Sequence, residues 1–378
     1  LKDDERHRKR GVRKTMPYRV LVVDDSIFMR RIISDLIAEN RNFQVADTAK
    51  NGKEAVEKTL LLKPDLVTMD VEMPEMNGLE ALRQIMQSYP VPVIMLSSLT
   101  GEGAHETIRA LELGAFDFVQ KPSGSISFDL YKVKSLLHEK MEAAVQAKDK
   151  WNRLYRRPFI LPPPPPATPA QNGIMSKTGK TSATFGSLVA IGTSTGGPRA
   201  LQQVLSRLPG SFPAPILIVQ HMPPNFTKSL AQRLHSASQI RVVEAEDGQP
   251  VLSGTAYIAP GGWHMRMSRL EGNRYRIRLS REAPKNGHRP SVDVLFDSLL
   301  AFHELKRHIV LMTGMGSDGA QGMFALRKAG AVTTIAESEE SCVVYGMPRA
   351  AVELGAATNI LPLEQIAGKL IEAVGDGR

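Results

Sequence analysis

Two groups of side chains in this sequence are placed where they could do chemistry. The first centres on Ser194. Residues 188–201 read LVAIGTSTGGPRAL: an apolar run meets Gly192, then Thr193-Ser194-Thr195, then Gly196-Gly197-Pro198, after which helical spacing resumes. This is strand, tight turn, helix. The glycines two positions to either side of Ser194 let a carbonyl approach the backbone, and the following helix aims unpaired N–H groups at the same point. Such a turn suits a nucleophilic serine or, equally, a bound anion. A nucleophile needs a base, and the base an orienting carboxylate. His221 directly follows the apolar run PILIVQ, and Asp318 follows the run 309–312 within the turn Thr313-Gly314-Met315-Gly316-Ser317-Asp318-Gly319, so both fall at strand carboxyl ends. The other histidines of this half are placed less well. His235 sits in a helical pattern, His303 and His308 precede a strand, and His264 and His288, in glycine turns, are at best substrate contacts. An Asp before a helix is also a common N-cap, and the Gly-rich turn could be an anion-binding nest. Backbone N–H groups near Met315 could serve as an oxyanion hole. The run Gly192-Thr193-Ser194-Thr195-Gly196 fits G-x-S-x-G. The order Ser, His, Asp nevertheless departs from the Ser, acid, His order of α/β-hydrolases.

The second group is Asp24, Asp25, Asp70, Ser97 and Lys121, each at the carboxyl end of an apolar run. Three carboxylates at one sheet edge repel one another unless a divalent cation joins them, and an all-oxygen set with few protein ligands suits Mg²⁺. Lys121 adds a fixed positive charge for a phosphoryl group, and Ser97 a hydrogen-bond donor.

The elements that must carry these residues alternate. In the first half, strands are expected at 18–23, 43–46, 64–69, 91–96 and 116–119, separated by helical spacing. In the second half, apolar runs occur at 188–191, 215–219, 308–312 and 331–335. Between them lies a hairpin-like stretch, 254–259 and 263–267 about Pro260-Gly261-Gly262, with 275–279 alternating similarly. The fold class is therefore α/β with two doubly wound domains: five parallel strands in the first, and a mostly parallel sheet with some antiparallel edge strands in the second. In open sheets of this kind ligands bind at the strand carboxyl ends.

A chain of 378 residues suggests two domains. The expected division is a charged extension 1–16, a first domain 17–140, a linker 141–184 and a second domain 185–378. The linker is helical over 132–155, then carries five consecutive prolines, 162–166, and a polar tract, which favour a semi-rigid spacer followed by a flexible one. No apolar run reaches the roughly 18–20 residues of a membrane span, so no membrane insertion is expected. The single Cys342 excludes an intrachain disulfide and any cysteine metal cluster. A cytoplasmic protein is the simplest reading. Of the net charge of +9, residues 1–15 hold +4. Met16 before PYRVLVVDDS reads as a natural start, so that tail is expected to be dispensable. With no aromatic-interleaved basic patch or helix-turn-helix pattern, no nucleic-acid partner is expected.

On Asp24-Asp25, Asp70 with Val71-Glu72-Met73-Pro74 and Asn77-Gly78, Ser97, and Lys121-Pro122, residues 17–140 resemble a response-regulator receiver domain, of flavodoxin-like fold. The resemblance implies that Asp70 accepts a phosphoryl group from a sensor histidine kinase, with Mg²⁺ held by Asp24, Asp25 and Asp70. It also implies that Ser97 and Phe118 relay the phosphorylation state to the far surface, and that the bond between Lys121 and Pro122 is cis.

The second domain resembles the catalytic domain of the chemotaxis protein-glutamate methylesterases, the CheB family. The blocks are Ile191-Gly192-Thr193-Ser194-Thr195-Gly196-Gly197-Pro198, Gln220-His221-Met222, Ala259-Pro260-Gly261, His288-Arg289-Pro290-Ser291-Val292-Asp293, Thr313-Gly314-Met315-Gly316-Ser317-Asp318-Gly319 and Tyr345-Gly346-Met347-Pro348. The resemblance implies Ser194 as nucleophile, His221 as general base and acid, Asp318 as orienting carboxylate, and the Thr195 region with the Met315 N–H for the oxyanion. The implied reaction is hydrolysis of glutamate γ-methyl esters on methyl-accepting chemoreceptors, with glutamine deamidation as a second activity. No cofactor is expected in this domain. The N-terminal tail and the proline run depart from the family pattern. From the two-domain order, the unphosphorylated receiver is expected to cover the esterase edge. The rival reading is a receiver-regulated anion- or nucleotide-binding module without hydrolytic activity.

Overall fold

A computed structural model describes residues 16–98, 100–121, 127–156 and 182–375. The proline run, the first fifteen residues and the cis bond expected before Pro122 lie outside the described residues.

The first half alternates strand and helix: β1 (Tyr18–Val23), α1 (Ile27–Ala38), β2 (Phe43–Ala49), α2 (Gly52–Leu62), β3 (Leu66–Asp70), α3 (Gly78–Ser88), β4 (Val93–Ser97), α4 (Gly101–Leu113), β5 (Asp117–Gln120) and α5 (Ser127–Arg156). The strands form one parallel sheet in the order β2-β1-β3-β4-β5. β3 and β4 are buried along their whole length. Helices cover both faces, which is why these strands read as unbroken apolar runs instead of alternating ones. Helix starts are set by side chains that accept a backbone N–H. Ser26 caps α1, Asn51 α2, Asn77 α3 and Thr100 α4, each contributing about 1 kcal/mol. The chain leaves β1 toward β2 and returns past it to β3. Asp24 and Asp70 therefore flank the point where strand order reverses, where a crevice opens.

The second half contains β6 (Ser187–Thr193), α6 (Gly197–Leu205), β7 (Ile216–Gln220), α7 (Phe226–Ala237), β8 (Arg241–Glu244), β9 (Thr255–Ile258), β10 (His264–Leu270), β11 (Arg274–Ser280), α8 (Val292–Ser298), β12 (Lys306–Leu311), α9 (Ala320–Lys328), β13 (Thr333–Glu337), α10 (Met347–Glu353), β14 (Asn359–Leu361) and α11 (Leu363–Gly375). Its main sheet is parallel, in the order β14-β13-β12-β6-β7-β9-β8, and β10 pairs antiparallel with β11 as a separate ribbon. The antiparallel pair is thus present with a different partner from that expected. The 254–259 run joins the parallel sheet beside β7 and β8, because its strand residues, 255–258, are all buried. β13 lies two residues later than the apolar run suggested, which carries the strand to Glu337.

The two halves pack together. Phe118 of β5 stacks on Phe226 of α7, ring centroids 4.6 Å apart, and Glu112 of α4 pairs with Arg233 of α7 at 2.5 Å. Buried Trp151 of α5 belongs to a core cluster that also holds Val343 of the second half.

Candidate active site and phosphorylation site

β6 is flanked by β7 on one side and β12 on the other, so strand order reverses there and three loops meet at one carboxyl edge. Register brings the residues together. Thr193 is opposite Gln220, so Ser194 and His221, one step on, stand side by side. The backbone N–H of His221 donates to Thr193 O at 3.1 Å, and that of Ser194 to Thr313 O at 3.0 Å. Gln220 Nε2 donates to Ser194 O at 3.0 Å. Gly314 packs where a Cβ would come 2.8 Å from Ser194 Cβ, which explains the glycine in the turn that follows β12.

His221 Nε2 is 2.9 Å from Asp318 Oδ2, and their side chains are 7% and 1% exposed. Asp318 also accepts from Ser291 Oγ at 2.8 Å, Val292 N at 2.6 Å and Asp293 N at 3.1 Å. Burial opposes its charge, yet the His221 contact and the two N–H groups hold its carboxyl well below the usual range. An ionised Asp318 fixes the proton on Nε2. The other ring nitrogen, Nδ1, is buried and without a hydrogen-bond partner, so its lone pair is uncommitted. His288 stacks on His221 at 3.8 Å, 3° from parallel. Desolvation, and then the neighbouring His221, push His288 down to about 4, so at neutral pH it is an uncharged wall. His264 is turned away from the cleft: it accepts from Ser291 N at 3.3 Å and contacts Ala283 O, holding the loop behind Asp318. His235 accepts from Val242 N, and His308 is buried inside β12.

Ser194, Thr195, His221, His288, Met315 and Asp318 line one cleft of about 970 Å³. Among the described residues, neither the Thr195 nor the Met315 backbone N–H has an acceptor. Both are therefore free to meet a developing oxyanion. The far wall is the first half: Phe118 to Lys121 and α5 residues from Tyr131 to Lys140. There Thr195 Oγ1 donates to Asp117 Oδ2 at 2.5 Å, and Asp117 Oδ1 accepts from Lys140 Nζ at 2.7 Å.

Three contributors escaped sequence reasoning. Thr313 joins the turns: its O accepts from Thr193 Oγ1 at 2.9 Å, and its Oγ1 donates to Thr195 O at 2.9 Å. Glu337 anchors Thr313, accepting its N–H at 2.8 Å and the Ser341 hydroxyl at 2.9 Å. Burial pushes Glu337 up to about 7. The signal was available, a carboxylate at a strand's carboxyl end, but ending the strand at 335 concealed it. Asp117 was invisible because its partner is 78 residues away.

In the first half, carboxylate oxygens of Asp24, Asp25 and Asp70 lie within 4.8 Å of one another, Asp25 exposed and the others buried. Lys121 Nζ is 2.8 Å from Asp24 and 2.7 Å from Asp70. Burial pushes Asp70 up to about 6, against the pull of Lys121. An oxygen-only set with one face open fits a hard divalent cation that keeps waters. Ser97 is buried and engages α4: it accepts from Thr107 Oγ1 at 2.7 Å and lies 3.3 Å from Gly103 O. Phe118 is buried at the domain contact, stacked on Phe226.

A receiver-type sheet with an acidic pocket, packed against a doubly wound sheet with a serine–histidine–aspartate edge, defines a response regulator whose output is a hydrolytic domain. Comparison narrows the class. A family model described as CheB methylesterase matches residues 189–370, and one described as response regulator receiver domain matches 20–128. A protein-glutamate methylesterase/protein-glutamine glutaminase of Geobacillus kaustophilus is 49% identical over 365 residues, covering 95% of this chain and 99% of its own. Its counterpart in Bacillus subtilis is 48% identical, covering 94% and 98%. The solved CheB methylesterase catalytic domain of Thermotoga maritima is 46% identical, covering 50% of this chain and all of its own, with a TM-score of 0.48. The chain belongs to the CheB methylesterase family and is a receiver-bearing enzyme of that family. Among the described residues, no helix is long and apolar enough to cross a membrane.

Proposed function

We propose that this chain hydrolyses glutamate γ-methyl esters on chemoreceptors through Ser194, His221 and Asp318, and deamidates receptor glutamines by the same route. The observation that carries the reading is the His221 ring. Nε2 is committed to an ionised Asp318, while Nδ1 is buried and unpartnered on a residue whose backbone stands beside the serine turn. Nδ1 takes the Ser194 proton as Oγ attacks the ester carbonyl, and the N–H groups of Thr195 and Met315 receive the oxyanion. His221 then returns the proton to leaving methanol, or to ammonia from an amide, and water releases the acyl-enzyme by the reverse sequence. Asp318 keeps the imidazole in one tautomer and stabilises the imidazolium.

Asp70 is the phosphorylation site in this reading, with a sensor histidine kinase as donor. Asp24, Asp25 and Asp70 would hold Mg²⁺, which when bound neutralises charge on the phosphoryl oxygens. Lys121 meets the phosphoryl group, and Ser97 turns from Thr107 toward it. A phosphoryl group adds about −2 charge to the pocket. Movement at Ser97 and β5 then loosens Asp117 and Phe118 from Thr195 and Phe226, uncovering the cleft. The tail 1–16, receiver 17–140, linker 141–184 and catalytic domain 185–378 are the proposed units, and the cytoplasm, where the receptor substrate and kinase meet, the proposed location.

The deciding experiment is methanol release from membranes carrying methylated receptor. Ser194→Ala should abolish it. Residual release near the parent rate would favour the anion-binding module instead.

A further inference from the structure

The β10–β11 ribbon carries a charge that the chemistry above does not use. Residues 263–289 hold seven Arg and one Lys against two Glu, a net of +6. Set against +9 for the chain and +4 for residues 1–15, this leaves −1 for everything else. The ribbon has two distinct faces. Met265, Met267, Tyr275 and Ile277 are buried in the core. The alternate positions, Arg266, Ser268, Arg274, Arg276 and Arg278, face outward by the two-residue period of a strand. Arg266 stands directly opposite Arg278 in the register, and Arg276 opposite Ser268. Like charges directly opposed across strands are destabilising, so folding alone does not explain the arrangement.

Neutralisation is partial. Arg266 pairs with Glu282 at 2.6 Å, and Arg278 with Asp247 at 3.4 Å with both side chains about half exposed. Arg274 Nε donates to Glu271 O and Arg276 Nε to Ser268 Oγ, neither partner being a carboxylate. The positive face runs toward the cleft. Arg281 lies 4.2 Å over the Trp263 ring. Arg289 Nη1 donates to Arg281 O and Glu282 O at 3.2 and 3.0 Å. Residues 286–290, which include His288, form the cleft wall.

We propose that this arginine face, Arg274, Arg276 and Arg278 with Arg266, is a docking surface for the acidic polypeptide that carries the scissile glutamate ester. The inference rests on the methylesterase reading above and adds to it how the protein substrate is held. From Arg274 to Ser280 the ribbon spans about 20 Å, the length of about thirteen residues of helix. An acidic helix laid along the ribbon presents successive carboxylates to the arginines while its ester enters past Arg289. Exposed charges of this sort act mainly on encounter rate and salt dependence.

The test pairs two measurements on the full chain. Arg274→Glu/Arg276→Glu should lower kcat/KM for methylated receptor about tenfold relative to kcat/KM for a short neutral peptide γ-methyl ester. Arg274→Gln/Arg276→Gln, which removes the positive charges without adding negative ones, should fall between it and the parent. Separately, fluorescent poly-glutamate should bind the Ser194→Ala chain with a salt-dependent affinity that Arg274→Glu/Arg276→Glu removes. This arm needs no turnover, so a parent that hydrolyses no ester overturns the methylesterase reading while the docking result stays readable. An unchanged substrate ratio, equal poly-glutamate binding by parent and variant, or tighter binding of duplex DNA or RNA than of poly-glutamate overturns the proposal.

Discussion

The Asp117–Thr195 hydrogen bond offers a direct test of the proposed closure of the cleft by the receiver. Asp117→Asn keeps the shape and an acceptor oxygen but removes the charge. The bond is 2.5 Å long, between groups 6% and 3% exposed, so solvent screens it little. A hydrogen bond to a charged group contributes about 1.5–3 kcal/mol and a neutral one about 0.5–1.5 kcal/mol. The substitution therefore weakens the closed state by about 1–1.5 kcal/mol. The Asp117–Lys140 pair lies within the first half and is broken equally in closed and open forms, so it cancels. The Phe118–Phe226 stack is untouched, and the Glu112–Arg233 pair, with Arg233 42% exposed, contributes little. Because about 1.4 kcal/mol is a factor of ten, basal methanol release should rise about five- to tenfold without any phosphodonor. Removal of residues 1–156 sets the ceiling, since it frees the cleft altogether. The assay is initial-rate methanol release from methylated receptor membranes for parent, variant and truncated chain. A variant within twofold of the parent, beside a truncated chain at least ten times faster, would refute this contact as part of the closure. Equal rates for parent and truncated chain would refute closure itself.

Three further outcomes follow from the geometry. Asp318→Asn should lower kcat by about 10³- to 10⁴-fold with little change in KM, because it frees His221 to hold its proton on the wrong nitrogen; a drop smaller than tenfold speaks against the Asp318 assignment. Glu337→Gln should alter the pH dependence of stability. The folded value of about 7 lies above the ordinary 4.5, so the parent's full stability is present below pH 4.5 and is lost as pH rises through 7. The melting temperature of Glu337→Gln relative to the parent should therefore rise between pH 5 and 8, and a constant difference would show that Glu337 does not titrate there. Asp70→Asn, or chelation of Mg²⁺ in the parent, should abolish the rise in methanol release that a small-molecule phosphodonor produces; persistence of that rise would remove Asp70 from its role.

Much of this protein was legible before any coordinates. Ser194, His221 and Asp318, like Asp24, Asp70 and Lys121, sit at or just beyond the ends of apolar runs. A strand buried on both faces has to be apolar along its length, and in a parallel sheet its carboxyl end has to open onto a crevice. Local pattern therefore reports both the element and the edge on which its last polar residue falls. It did not report partners. Which strand β9 pairs with, and that β13 runs on to Glu337, depend on burial from both sides. The contacts of Asp117 with Thr195 and of Phe118 with Phe226 join residues about eighty to more than a hundred positions apart. Nothing near them in sequence distinguishes them from ordinary strand-end residues. Arg266, Arg274, Arg276 and Arg278 were countable one by one, but only pairing β10 with β11 put them on one face and led that face to the cleft. The sequence by itself determined which residues are candidates for the chemistry, because that follows from side-chain type and from the ends of buried strands. Only the tertiary structure decided what packs over them and which charged face lies beside them, because those are properties of surfaces assembled from distant segments.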